Sequence, residues 1–261
     1  LRCITPDQFS NTVVQDISSI KADLGIVYEY GKIIQQSIID ATDSGIMNLH
    51  CSLLPAYRGA APIQHALINN ESTTGVTYFE INEKLDEGKI IWSKAYNIKE
   101  SDNCTTIQDN LTDIAVEFCS EVIYKMCANE YIQSTLTKKP TYANKIIKED
   151  AFLNWDMNIR LMFNMIRAFH LWPVARIDLF GENIKILDAN CIEKKHEHPN
   201  GTVVSFNKNE LVIAAKEGFL SILKLQLEGK KIITNRDLYN SNHSIKETLI
   251  KNCANISYKS L

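Results

Sequence analysis

The stretch "NLHCSLLPAYRGAAP", residues 48–62, sets the reading of the whole chain. With the preceding "GIM" it reads as a β-strand over 45–51, which breaks at Ser52-Leu53-Leu54-Pro55 into a loop carrying Arg58 beside Gly59. Residues two apart in a strand share a face, so Asn48 and His50 stand side by side at the strand's C-terminal end. In open α/β sheets ligands bind at that edge. An amide donor beside an imidazole suits acyl transfer. Asn48 can hydrogen-bond an oxygen that becomes negative, and His50 can take the nucleophile's proton or donate to the oxyanion. A carboxylate that orients the ring completes such a set, and Asp86 in "LDEG" (85–88) is the candidate. Structural readings stand beside these: a strand-end histidine often only holds a turn, Asp-Glu-Gly is a common turn, Ser52 can cap one, and Pro55 can simply end a strand.

Upstream, "DLGIVYEY" (23–30) reads as a strand, and "KIIQQSIIDATD" (32–43) as a helix with Ile34, Ile38 and Ile39 at helical spacing. Downstream, "GAAPIQHALINN" (59–70) reads as a helix with Pro62 near its first turn, where proline is tolerated. "GVTYFEI" (75–81) and "KIIWSKAYNI" (89–98) are strands joined through "NEKLDEG". Thr105 and Gln108 have capping-box spacing ahead of a long helix with the stripe Ile107, Leu111, Ile114, Phe118, Val122 and Met126. Strands alternating with helices predict an α/β layer fold, Rossmann-like, with a largely parallel sheet.

Residues 129–150 lose this periodicity and read as a linker around Lys138-Lys139-Pro140. A helix over 158–171 follows. Then come short segments, "VARIDLF", "ENIKILDANCIEK", "GTVVSF", "ELVIAA" and "GFLSILKLQL", broken at Gly181, Gly201 and Gly218. They predict a small, OB-like β-barrel. The expected domains are therefore 1–128, a linker 129–150, and 151–261. The tail after Tyr239 has no clear pattern, helical in part or without structure.

A 45% hydrophobic content is that of a soluble globular protein, and no apolar run approaches a membrane span. The segment opening at Leu1 is polar and unlike a secretory signal. Seven scattered cysteines without a Cys-x-x-Cys pair predict reduced thiols, not disulfides or zinc. His196 and His198 in "KKHEHPN" have a His-x-His spacing that suits a metal, but they sit among charges in a loop. No glycine-rich phosphate loop occurs, which argues against nucleotide as the main ligand. Residues 1–150 hold 13 Lys+Arg against 20 Asp+Glu, a net −7; residues 151–261 hold 15 against 11, a net +4. That split hints at an anionic partner for the second half, or at an ordinary solvated surface.

Taken together, Asn48-x-His50-x-Ser52-Leu53-Leu54-Pro55-x-x-Arg58-Gly59 with Leu85-Asp86-x-Gly88 resembles the 10-formyltetrahydrofolate-dependent formyltransferases. "GAAPIQ" and "TGVTYFEINEKLDEGKII" look most like the branch that acts on methionyl initiator tRNA. "YANKIIKEDAFLNW", "IRAFHLWP" and "LQLEGKK" resemble that branch's second domain, which the shorter glycinamide formyltransferases lack. The resemblance implies Asn48, His50 and Asp86 as the catalytic trio and Ser52, Leu53, Leu54 and Pro55 along the folate. It implies 10-formyltetrahydrofolate as co-substrate, no metal, and a barrel domain that with the linker helps hold initiator tRNA. A cytoplasmic monomer is expected, with an organellar matrix as the other compartment. The chain departs from the family at Glu29 (for alanine), Cys51 (for a small residue), Lys89 (for an acid) and Asn154 (for aspartate). It also reads as beginning partway into the catalytic domain, without the family's first strands. Two other readings share these residues: an amino-sugar-nucleotide N-formyltransferase, and a non-catalytic folate- or RNA-binding remnant.

Overall fold

The apolar alternation around residues 46–50 and 73–97 builds one sheet, and the longest apolar stripe builds the helix that covers it. The computed structural model describes residues 3, 9–31, 33–132 and 139–254. Two compact units emerge: one from 1–63, 72–99 and 107–145, the other from 64–71, 100–106 and 146–261.

In the first unit α1 (Asn11–Ser18) is capped by Ser10, whose hydroxyl accepts the Val13 N–H at 3.4 Å. It carries Val13, Val14 and Ile17 at helical spacing but buries no residue. Next come β1 (Gly25–Tyr28), α2 (Gln36–Ile39) and β2 (Ile46–His50). The helix expected over 32–43 is thus only four residues long; Lys32 lies outside the described residues. Ile38 is the single buried residue of α2, and the extended Gln35 (ψ 150°) precludes an earlier start. After β2 the chain runs through β3 (Arg58–Gly59), α3 (Pro62–Ile68, counted with the second unit from residue 64), β4 (Thr73–Glu80), β5 (Ile90–Asn97), α4 (Cys104–Cys127, counted with the first unit from residue 107) and β6 (Tyr142–Ala143).

The sheet order is β1-β2-β4-β5. The fold is α/β and Rossmann-like, as expected; within this four-stranded sheet β1 and β2 form the parallel pair among the described residues. β4 runs antiparallel to β2, and β5 antiparallel to β4. The connection 81–89 is too short for the crossover of a dozen or more residues that parallel neighbours need, so β4 and β5 form a hairpin. Met47, Val76, Tyr78, Ile91 and Trp92 pack with Ala115, Val122 and Met126 of α4, while Ile114 and Phe118 of the predicted stripe lie at the cluster's margin. The capping pair is displaced from the expected Thr105/Gln108. Asn103 and Thr106 exchange two hydrogen bonds of 3.0 Å each, satisfying a donor that a helix start otherwise leaves open. Gln108 instead donates to Glu29 Oε1 at 2.6 Å.

Two short elements fall in the expected linker. Residues 142–143 form β6, parallel to β3, and residues 148–151 a 3-10 turn; residues 133–138 lie outside the described set.

The second unit contains α5 (Ile159–Ala168), capped by Asn158, whose side chain accepts the Arg160 N–H at 2.9 Å. Then follow β7 (Arg176–Leu179), β8 (Glu182–Ile192), β9 (Val203–Phe206), β10 (Leu211–Ala215), β11 (Gly218–Gln226) and β12 (Ile232–Thr234). They form one antiparallel sheet of order β7-β8-β11-β10-β9, with β12 on β11. The terminal strands β7 and β9 do not pair with each other among the described residues, so the expected barrel is an open half-barrel. Register shifts in the β8/β11 and β9/β10 pairs mark where it bends. A Cβ on Gly218 would come within 2.4 Å of the Ile192 carbonyl, so only glycine fits that corner. α6 (Asn235–Asn240) and α7 (Ser244–Asn252) follow, the latter burying Ile245 and Leu249 one turn apart. The tail is therefore helical through 252; residues 255–261 lie outside the described set.

Arg167 of α5 explains why 64–71 and 100–106 belong here. Its guanidinium donates to the carbonyls of Glu100 (3.2 Å) and Asp102 (3.1 Å) and to Asn164 Oδ1 (2.7 Å). Asn164, fully buried, donates to Asn70 Oδ1 at 3.0 Å. Burial pulls the Arg167 pKa below its ordinary value, so these acceptors are what keep the cation tolerable inside.

Candidate active site

β2 delivers His50 to the end of the sheet, 6% exposed and opposite Thr77 of β4. Asn48, two residues earlier on the same face, is half-buried. Its side-chain amide hydrogen-bonds no described residue and is available to a ligand.

The loop after β2 turns back on the histidine. His50 Nε2 lies 2.8 Å from the Tyr57 carbonyl. A carbonyl only accepts, so Nε2 carries the proton. Nδ1 faces Asp86 Oδ2 at 3.8 Å, an ion-pair distance but too long for a hydrogen bond. Asp86 Oδ2 itself accepts the Gly59 N–H at 2.7 Å. The three residues that the sequence singled out are thus placed by one strand, one loop and one hairpin turn.

Each placement has a local cause. Tyr57 (φ 58°) and Asp86 (φ 50°) both sit in the left-handed region. Aspartate visits it readily; for tyrosine it is strain of about 1–3 kcal/mol that surrounding contacts must hold. Thr141 supplies them: its hydroxyl accepts the Tyr57 N–H at 2.8 Å, and its carbonyl the Arg58 N–H at 2.8 Å. Gly59 (φ +113°) runs against Ala143, where a Cβ would meet the Ala143 carbonyl at 2.7 Å. Gly88 is tighter still, since a Cβ there would lie 1.5 Å from the Glu80 carbonyl. The glycine of "LDEG" lets the hairpin close and so sets the height of Asp86.

Ser52 is fully buried and closes the loop: its hydroxyl donates to the Ala56 carbonyl at 2.6 Å, and its own carbonyl accepts from Thr77 Oγ1 at 2.6 Å. Thr77 Oγ1 in turn accepts the Leu54 N–H at 3.2 Å. Leu53 and Leu54 are half-buried and Pro55 is buried. Leu53 packs on Gly75, where a Cβ would lie 2.5 Å from its Cδ2.

Thr77, Tyr57, Thr141 and Glu87 escaped sequence reasoning. Nothing in local spacing links Thr141 to Tyr57. The alternation of "GVTYFEI" does place Thr77 on one face of β4, so a polar residue in an otherwise apolar strand was a usable signal.

His196 is a different kind of site. Its Nε2 is shared by the Ala215 (2.8 Å) and Gly218 (2.9 Å) carbonyls, and its Nδ1 accepts the His198 N–H at 3.2 Å. Among the described residues no cluster of three or more His, Cys, Asp or Glu has metal-binding geometry. A cleft of about 280 Å³ in the second unit is lined by Asn158, Ile159, Glu193, Lys194, Lys195 and Glu217, none of them in the Asn48/His50/Asp86 set.

A formyl transferase family model matches residues 4–123, and a formyl transferase C-terminal domain model matches 145–243. The chain is 39% identical over 224 residues to a methionyl-tRNA formyltransferase of Thermodesulfovibrio yellowstonii, covering 86% of this chain and 72% of that protein. It is 31% identical over 239 residues to a protein of the same name from Xylella fastidiosa, covering 91% and 78%. Among solved structures it is similar to HypX from Aquifex aeolicus in complex with tetrahydrofolic acid, with TM-score 0.67 and 17% identity. That match covers 87% of this chain but only 40% of HypX. It is also similar to WlaRD, a sugar 3N-formyl transferase, with TM-score 0.62, 21% identity and coverage of 82% and 77%. The last two likenesses concern the fold.

Proposed function

The chain belongs to the formyl transferase family, alongside the methionyl-tRNA formyltransferases, and from that premise we propose that Asn48, His50 and Asp86 carry its chemistry. The reaction is transfer of a formyl group from 10-formyltetrahydrofolate to the α-amine of methionyl initiator tRNA. The observation that supports this reading best is the juxtaposition of a free amide, Asn48, with a histidine whose Nδ1 faces a carboxylate at 3.8 Å.

The residues present suit a folate. The uncommitted Asn48 amide can donate to its formyl oxygen, and half-buried Leu53 and Leu54 offer an apolar edge for its ring system. Ser52 and Pro55, both buried, shape that loop from within. The folate supplies an electrophilic one-carbon unit. Asn48 donates to the oxygen as negative charge builds there, a role worth about 10²–10³ in rate. His50 takes the amine's proton at Nδ1, the ring nitrogen left bare by the bond from Nε2–H to Tyr57. Asp86 faces that nitrogen and stabilises the resulting imidazolium by charge. His50 then returns the proton to the departing nitrogen, so the ring ends as it began.

We assign residues 1–128 to catalysis and 151–261, with the linker 129–150, to holding the tRNA; the net +4 of the second half supports a polyanionic partner. No described helix is long and apolar enough to cross a membrane. The reading is completed by a monomer acting in the cytoplasm.

The test is formylation of methionyl initiator tRNA with 10-formyltetrahydrofolate as donor. Turnover is expected, falling by at least ~100-fold in His50→Ala. Formylation of an amino-sugar nucleotide with no turnover of tRNA would replace the proposed acceptor.

A further inference from the structure

We infer that the Arg58–Glu87 ion pair is a positioning device that sets the separation of His50 and Asp86; this rests on the catalytic reading above. Arg58 Nη1 donates to Glu87 Oε1 at 2.6 Å. The Arg58 side chain is 10% exposed and that of Glu87 34%. Lys84 Nζ lies 3.8 Å from the other Glu87 oxygen, and its side chain is 75% exposed, so Arg58 is the closer and more buried partner.

The location of the pair carries the argument. The residue before Arg58 gives its carbonyl to His50 Nε2, and the residue after gives its N–H to Asp86 Oδ2. Glu87 directly follows Asp86. The loop 57–59 therefore grips both members of the His50/Asp86 set through its backbone. The Arg58 side chain locks that loop to the turn on which Asp86 rides.

Without the ion pair, loop and turn lose a charged fastening and keep the Gly59–Asp86 hydrogen bond, with Asp86 in the left-handed region at the hairpin turn. Both groups act through backbone neighbours, so Arg58 and Glu87 are positioning residues. A loss of register of about 1 Å between reacting groups can cost ~100-fold in rate. Removing one fastening is expected to cost less than that.

The experiment uses the protein expressed from its whole reading frame, with kcat and KM measured for both substrates in the formylation assay. Arg58→Met is expected to lower kcat about tenfold or more with both KM values within about threefold, and Glu87→Gln to lower kcat in the same way but less. The Arg58→Met/Glu87→Gln double variant is expected to be no slower than Arg58→Met alone, because the two act as one unit. Independent, multiplying effects, or losses confined to KM, would overturn the inference. If Arg58→Met does not fold, Glu87→Gln decides alone: unchanged kcat in a normally melting protein overturns it. His50→Ala in the same assay separates the two claims. An active His50→Ala sinks the catalytic reading itself, whereas an inactive His50→Ala beside a normal Glu87→Gln sinks only the positioning role.

Discussion

His50 and His196 both turn a ring nitrogen to backbone carbonyl oxygen, and the difference between them separates the proposed chemistry from architecture. His196 spends everything on the fold. Nε2 is shared by two carbonyls, Nδ1 accepts an N–H, and the ring packs on Phe219 with centroids 4.5 Å apart. His50 spends one nitrogen on Tyr57 and keeps the other 3.8 Å from a carboxylate. Its surroundings are polar and buried together: Ser52, Thr77 and Arg58 all lie below a tenth exposed. Buried polar groups are costly unless partnered, and this cluster leaves Asn48, Arg58 Nε and one imidazole nitrogen open, which supports the proposal that the reaction occurs here. A histidine is read by which lone pair remains, not by its spacing to the next one.

The largest expected effect breaks the comparison directly. Asn48→Ala and His50→Ala should each cost at least ~100-fold in formylation rate, while His196→Ala leaves the rate within about twofold. Equal losses at both histidines, measured on proteins with intact circular dichroism, would remove the distinction.

Gly88→Ala comes next. The added carbon would lie 1.5 Å from the Glu80 carbonyl, so the hairpin must shift and Asp86 with it. A loss of about tenfold or more in rate is expected, together with a lowered melting temperature. Gly31→Ala, which meets nothing within 4 Å, should leave both unchanged.

In the second unit the expected readout is stability. His196→Ala strips the Ala215 and Gly218 carbonyls of their shared donor; about 1–3 kcal/mol should be lost in urea unfolding. Smallest is Asn158→Ala, which removes the cap accepting from Arg160 at 2.9 Å; about 1 kcal/mol is expected. If either instead abolished turnover with stability retained, the second unit would hold chemistry that its geometry does not display.

Much of this was legible in the chain. The alternation in "GVTYFEI" and "KIIWSKAYNI" gave β4 and β5, and the stripe from Ile107 to Met126 gave α4, because burial of one face imposes a period on the residues themselves. Asn48, His50 and Asp86 could be named as candidates because strand geometry, chemical type and the family-like spacing around them are local properties. The helix over 32–43 shrank to α2 because Ile38 alone found a buried partner surface. The capping pair was misplaced by two residues because Asn103/Thr106 and Thr105/Gln108 are equally plausible on spacing.

The sequence by itself determined an α/β unit followed by a unit of short β-strands, and the residue types that can move a proton and hold an oxyanion. Only the tertiary structure decided that β4 returns antiparallel to β2, that Ser52 fastens a loop, and that Thr141 steadies Tyr57. It alone joined Arg58 to Glu87 and left His50 Nδ1 open toward Asp86. The physical reason is range. Periodicity and propensity are set by neighbours within a turn or a strand, whereas these contacts join residues tens of positions apart, such as Tyr57 and Thr141. No local pattern records a hydrogen bond whose partner arrives only when the chain has folded.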